Sequence, residues 1–276
     1  MERVRVFSMA AAVAGVLLLA LSAGASATTP SWYDCAKAEP ANSGNYKDSK
    51  CTEASEPGKG KYEILPGVGK GKAFKGAMGK MFWHMVVPGK GDFKTECESG
   101  KDEGTAATPN RVTGVKITLS KCKILGGPCK TEGGKLETIT TEALEGELGW
   151  LSHGGLVAGL ALTSEAEPGV GIIASFECEG FAKERWIGSI IATIAPVEEL
   201  SKESTLTYAV GPYLGEVEPG YTPLTNPIEF EGSSTRHLFS TELNGPETGN
   251  KWEPVGGLPS GWEGVLANKG EDLLIE

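Results

Sequence analysis

Glu167-Pro168-Gly169-Val170-Gly171-Ile172-Ile173-Ala174-Ser175-Phe176-Glu177-Cys178 reads as a Pro-Gly turn running into a strand. Val170, Ile172, Ala174, Phe176 and Cys178 recur at every second position, and a strand sends alternate side chains to opposite faces. The same signature extends in both directions. Trp186 to Ile194 is a β-branched run. Leu156–Thr163 is entered from the turn His153-Gly154-Gly155, and the segment Leu136–Leu151 puts Leu144, Leu148 and Trp150 at even spacing. Val115, Ile117 and Leu119 alternate with polar residues and lead to Cys122. Five strands joined by glycine-containing turns predict an antiparallel meander over about residues 111–195.

Only Thr141–Leu148 competes for helix, through Glu142-Ala143-Leu144-Glu145. Gly146 and Gly149 decide for strand, since glycine costs a helix interior about 1 kcal/mol relative to alanine. With 39 glycines and no helix-length apolar periodicity, the chain reads as all-β: an antiparallel sandwich or meander-based domain. Four regions are expected: a leader at 1–27, a Ser/Ala/Pro-containing segment at 28–58, a main β domain at 59–200, and a C-terminal β extension at 201–276 packed on it. The extension offers shorter strands at Thr205–Val210, Ile228–Phe230, Arg236–Leu243 and Leu273–Glu276.

The leader fixes the expected compartment. Arg3 and Arg5 precede an apolar run from Met9 to Leu21, and Ala25-Ser26-Ala27 closes it with small residues, the pattern of a signal peptide cut before Thr28. The apolar run is too short for a permanent anchor. All six cysteines lie beyond it, an even number suited to an oxidising destination. Cys35–Cys51, Cys97–Cys178 and Cys122–Cys129 are the expected pairs. The first and third close local loops. The second joins segments with a shared Cys-Glu pattern, Thr95-Glu96-Cys97-Glu98 and Phe176-Glu177-Cys178-Glu179. No Cys-x-x-Cys knuckle occurs, so no metal is expected.

Charge and motifs exclude several functions. The chain has a formal net charge of −10, which disfavours a nucleic-acid partner. His84, His153 and His237 form no zinc-hydrolase motif, and neither a Gly-x-Ser-x-Gly elbow nor a phosphate loop is present. No cofactor is implied. The carboxylate pairs Glu177/Glu179, Glu216/Glu218 and Glu229/Glu231 each flank a residue suited to the core. That makes them the wet face of a half-buried sheet, or, as the alternative, a glycosidase pair. Trp252 and Trp262 lie in Gly/Pro-rich loops where an aromatic face can stack on a sugar, with packing against the sheet as the expected reading. Lys70, Lys72 and Lys75 belong to a basic strip that reads as a solvated loop-rich surface, or, as the alternative, as a site for an anionic wall polymer or membrane surface. The run Met81–Val87 reads as a buried strand, with membrane insertion as its rival.

Several segments together carry a resemblance: Trp32-Tyr33-Asp34-Cys35, Val112-Thr113-Gly114-Val115, Cys122 with Gly126-Gly127-Pro128-Cys129, Gly146-Glu147-Leu148-Gly149-Trp150, Phe176-Glu177-Cys178 and Gly188-Ser189-Ile190-Ile191-Ala192. Over about residues 31–195 the chain resembles a group of uncharacterised exported, disulfide-containing β-rich proteins of high-GC Gram-positive bacteria. The resemblance implies a bacterial secreted β protein and brings no activity or site residues. The expected role is non-enzymatic binding or structure at the cell envelope or in the extracellular medium, with a cell-wall polymer or polysaccharide as partner. A carbohydrate-active hydrolase and a membrane-active toxin-like protein are the alternatives.

Overall fold

The computed structural model describes residues 29–67, 72–87, 91–198, 201–208, 229–245, 249–254 and 261–275. All regular structure in these residues is strand, numbered in chain order from β1 (Trp32–Lys37) and β2 (Tyr62–Pro66) and including the short β10 (Thr138–Thr140). No helix among them is long and apolar enough to cross a membrane.

The expected meander is there: β7 (Arg111–Ser120), β11 (Leu144–Ser152), β12 (Val157–Ser164), β13 (Ile172–Cys178) and β14 (Lys183–Ala195). Its order differs from the chain order in one respect. β12 pairs with β14 rather than with β13. β14 is long enough to serve two sets of partners. Lys183–Gly188 pairs with β16 (Phe239–Asn244) and Lys183–Ile187 with β13, while Ser189–Ile194 pairs with β12. Gly188 marks the corner. Its φ is +102°, and a Cβ there would lie 2.1 Å from the Leu238 carbonyl oxygen, so only glycine fits.

The antiparallel ladders close on themselves. From β11 the ring runs through β12, β14, β15 (Ser201–Tyr208), β18 (Gly261–Ile275), β3 (Lys72–Met78), β6 (Ser99–Thr108) and β7 back to β11. Closure removes the unpaired edges that make open sheets prone to association. A second ladder joins β4 (Met81–Val87), β5 (Gly91–Cys97), β8 (Lys123–Ile124), β9 (Gly127–Thr131), β13, β14 and β16. β4 also pairs with the first residues of β18. Strands from 201–276 are therefore hydrogen-bonded into the same ladders as the meander.

The core lies between the ladders. Trp83 of β4 packs on Trp186 of β14 (centroids 4.9 Å) and on Phe239 of β16 (4.4 Å), and Phe176 meets Trp186 edge-on. Met81, Trp83 and Met85 are buried at 1–2% exposure, so the run that membrane insertion would need is used as a core strand.

Two expectations are corrected. Val170 is 73% exposed in the turn, and Ile173 rather than Ile172 is fully buried. The β13–β14 register shifts between Ile172 and Ala174. This bulge adds one residue and reverses the alternation upstream of Ala174.

The second correction concerns the cysteines. Cys35–Cys51 forms as expected, but the other bridges are Cys97–Cys122 and Cys129–Cys178, not Cys97–Cys178 and Cys122–Cys129. Cys129 and Cys178 are register partners, and the β5–β8 and β8–β9 registers, continued by one residue, set Cys122, just before β8, between Cys97 and Cys129. In an antiparallel sheet a residue faces one neighbour through hydrogen bonds, with Cα atoms near 5.5 Å, and the other without them at about 4.5 Å. Cys129 N–H donates to the Cys122 carbonyl at 2.9 Å, which makes that pair the wide one. The bonded pairs have Cα–Cα separations of 4.0 and 3.9 Å. Three disulfides fit an oxidising compartment.

Candidate functional site

Next to the cysteine row, on the opposite face of the sheet, the registers build a polar row. Lys130 of β9, Glu177 of β13, Lys183 of β14 and Asn244 of β16 stand opposite one another in turn. Glu177 lies 3.3 Å from the Lys130 ammonium and 4.0 Å from that of Lys183. Such solvent-exposed pairs add under about 1 kcal/mol each to stability. They do hold the acid and amine groups at fixed spacing.

A groove of about 470 Å³ follows this row. Glu177, Glu179, Lys130 and Lys183 supply charge, Asn244 and Asn250 supply amides, and Phe181 an aromatic wall. Two backbone hydrogen bonds lie at its rim. Gly180 adopts φ 75° and Phe181 N–H donates to the Cys178 carbonyl, while Asn250, at φ 57°, donates its N–H to the Gly245 carbonyl. The Cys129–Cys178 disulfide ties β9 to β13 at this end.

Trp252 precedes β17 (Glu253–Pro254), whose register with β16, continued by one residue, sets it beside Asn244, and the Arg185 guanidinium lies 3.7 Å from its ring centroid. Arg185 is itself 3.8 Å from Glu242. One face of Trp252 is thus covered by a cation, and the residue is half-buried. Trp262 stands opposite Trp83 in the β18–β4 pairing; its side chain lies outside the described residues.

The lysine strip does not form one surface. Lys70 lies outside the described residues. Lys72 and Lys75 are three apart on β3 and so point to opposite faces. Lys72 is ion-paired with Asp34, and Lys75 is exposed.

A second cleft, of about 320 Å³, is lined by Glu147, Trp150, Phe230, Glu231 and His237 among others. The Glu231 carboxylate accepts the N–H of His153. His237 Nδ1 is 3.1 Å from Ser189 Oγ. Burial pushes the His237 imidazole below its usual range, with the Glu147 charge opposing. Ser189 is only 1% exposed, so its hydroxyl orients the ring and is closed to a substrate. No sequence motif links these residues, which come from four separate segments. Of the expected carboxylate pairs, Glu177/Glu179 lines the groove, Glu231 joins the cleft, and Glu216/Glu218 lies outside the described residues. Among the described residues no three His, Cys, Asp or Glu side chains gather as metal ligands.

Comparison with protein families, with curated proteins and with solved structures finds no match to this chain.

Proposed function

We propose that the chain is exported through cleavage of residues 1–27 and acts outside the cell as a non-enzymatic binding protein. Its ligand is a polysaccharide or cell-wall polymer held in the groove over β9, β13, β14 and β16. The carrying observation is the lining: two amides, two carboxylates and two ammonium groups beside Phe181 in one open channel. Sugar hydroxyls both donate and accept, so they match a lining that offers both functions next to an apolar wall. The net charge of −10 weighs against a nucleic-acid ligand.

A hydrolytic reading has one observation behind it: Glu147 and Glu231 share the second cleft with His237. One experiment separates the two. The mature oxidised protein is sedimented with insoluble Gram-positive cell-wall material, and soluble sugar is assayed in the same tubes. Retention without sugar release is the expected result. Release abolished by Glu147→Gln or Glu231→Gln would establish the hydrolase instead.

A further inference from the structure

Glu184 stands in the wrong company for a charge. It is 0% exposed on β14. Its cross-strand neighbours are Phe176 on β13 and Leu243 on β16. Along its own strand the same face continues to Trp186, which packs on Trp83 of the opposing ladder. Neither carboxyl oxygen has a hydrogen-bond partner.

We propose that Glu184 is held in the core as an un-ionised acid and works as a pH latch, its ionisation in alkaline medium loosening the packing of β14 against β4. An isolated carboxylate in apolar surroundings is far more costly than the neutral acid. Burial alone accordingly pushes this group well above the carboxylate range. Among the described residues no charged side chain offsets it. Lys183 and Arg185 on its own strand, Glu177 on β13 and Glu242 on β16 all occupy the alternate positions facing outward, as does Lys130 on β9. The described side chains of β4 on the packed side are Met81, Trp83 and Met85, none of which titrates.

The sign follows from linkage. A carboxyl whose folded-state affinity for protons exceeds its unfolded one stabilises the fold most below the unfolded value near 4.5. That stability falls as pH rises toward the folded value, by about tenfold in the folding equilibrium constant per pH unit. The other described groups with shifted affinities act outside the span from neutral to mildly alkaline pH: Asp48, Glu96 and Glu98 are lowered and act in acid, and Lys121 is raised and acts in strong base. Asp102 titrates in the fold at about 6, and His237, lowered from 6.5, acts with opposite sign below that value. Among the described residues Glu184 is the buried carboxyl with no hydrogen-bond partner, and the latch assigns to it the slope between neutrality and mildly alkaline pH.

The test is urea unfolding of the wild type, Glu184→Gln and Asp102→Asn from neutral to mildly alkaline pH. Wild type and Asp102→Asn should lose stability together as pH rises, while Glu184→Gln stays flat. Parallel slopes in wild type and Glu184→Gln would overturn the proposal. Should the Gln variant not fold, infrared titration of the wild type decides. A protonated-carboxyl band present at neutral pH and lost with base, together with a change in near-ultraviolet tryptophan dichroism, is the expected result. Absence of that band at neutral pH would overturn the proposal.

Discussion

Cys122 and Cys129 face each other across the β8–β9 hairpin, joined by a 2.9 Å backbone hydrogen bond, yet each sulfur is bonded to a different neighbour. The hairpin is thereby stapled outward on both sides, to β5 through Cys97 and to β13 through Cys178. The four cysteines lock four strands, where a Cys122–Cys129 bridge would have locked only the turn.

Non-reducing peptide mapping of the secreted protein should therefore recover Cys97 with Cys122 and Cys129 with Cys178. Replacing Cys129 and Cys178 together by alanine opens a loop of 49 residues. Chain-entropy arithmetic puts the cost at about 4 kcal/mol, readable as a fall in urea midpoint. A Cys122–Cys129 peptide from correctly folded protein would contradict the register.

Asp102 supplies a pH dependence of its own. It sits on β6 at 4% exposure, opposite Gly76 and Ile117. Burial raises it from 3.8 to about 6, with its own N–H and that of Gly76 pulling the other way. A raised carboxyl stabilises fully below the unfolded value and loses that contribution as pH climbs through the folded one. Asp102→Asn should thus be more stable than wild type at neutral pH, by about 1–3 kcal/mol, with the gap vanishing below the unfolded value. Thermal denaturation across that range checks it.

Gly188 is the residue on which the corner of β14 depends. Alanine there would combine a forbidden φ with a Cβ placed against the Leu238 carbonyl. Gly188→Ala is expected to cost about 2–4 kcal/mol and to weaken β16 pairing first. Hydrogen exchange should show faster exchange at Ser189, whose N–H donates to Leu238, than in the β11–β12 hairpin.

Much of this fold was legible because period-two patterns and glycine turns report directly on strands. β7, β11, β12, β13 and β14 all fall where alternation places them, and the Met81–Val87 run is the buried strand its composition suggests. Register is a different matter. The bulge at Ile173 leaves no compositional mark, so the inward face of β13 is misread upstream of Ala174. The echo between Cys97 and Cys178 is real, but it marks the two outer members of a row and not a bonded pair. The groove was legible only through Glu177, Glu179 and the nearby Trp252. Lys130, Lys183, Asn244 and Asn250 meet through pairings between distant segments. The spacing of Lys72 and Lys75, by contrast, already implied opposite faces.

The central claim is that the groove, and not the β3 lysines, holds the polymer. The direct measurement is cell-wall sedimentation of three proteins verified as folded by circular dichroism: wild type, Asn244→Ala combined with Asn250→Gly, and Lys72→Ala combined with Lys75→Ala. Losing two side-chain hydrogen bonds should weaken retention of the asparagine variant about tenfold or more, with the lysine variant retained like wild type. Undiminished retention of the asparagine variant, or loss confined to the lysine variant, would contradict the account.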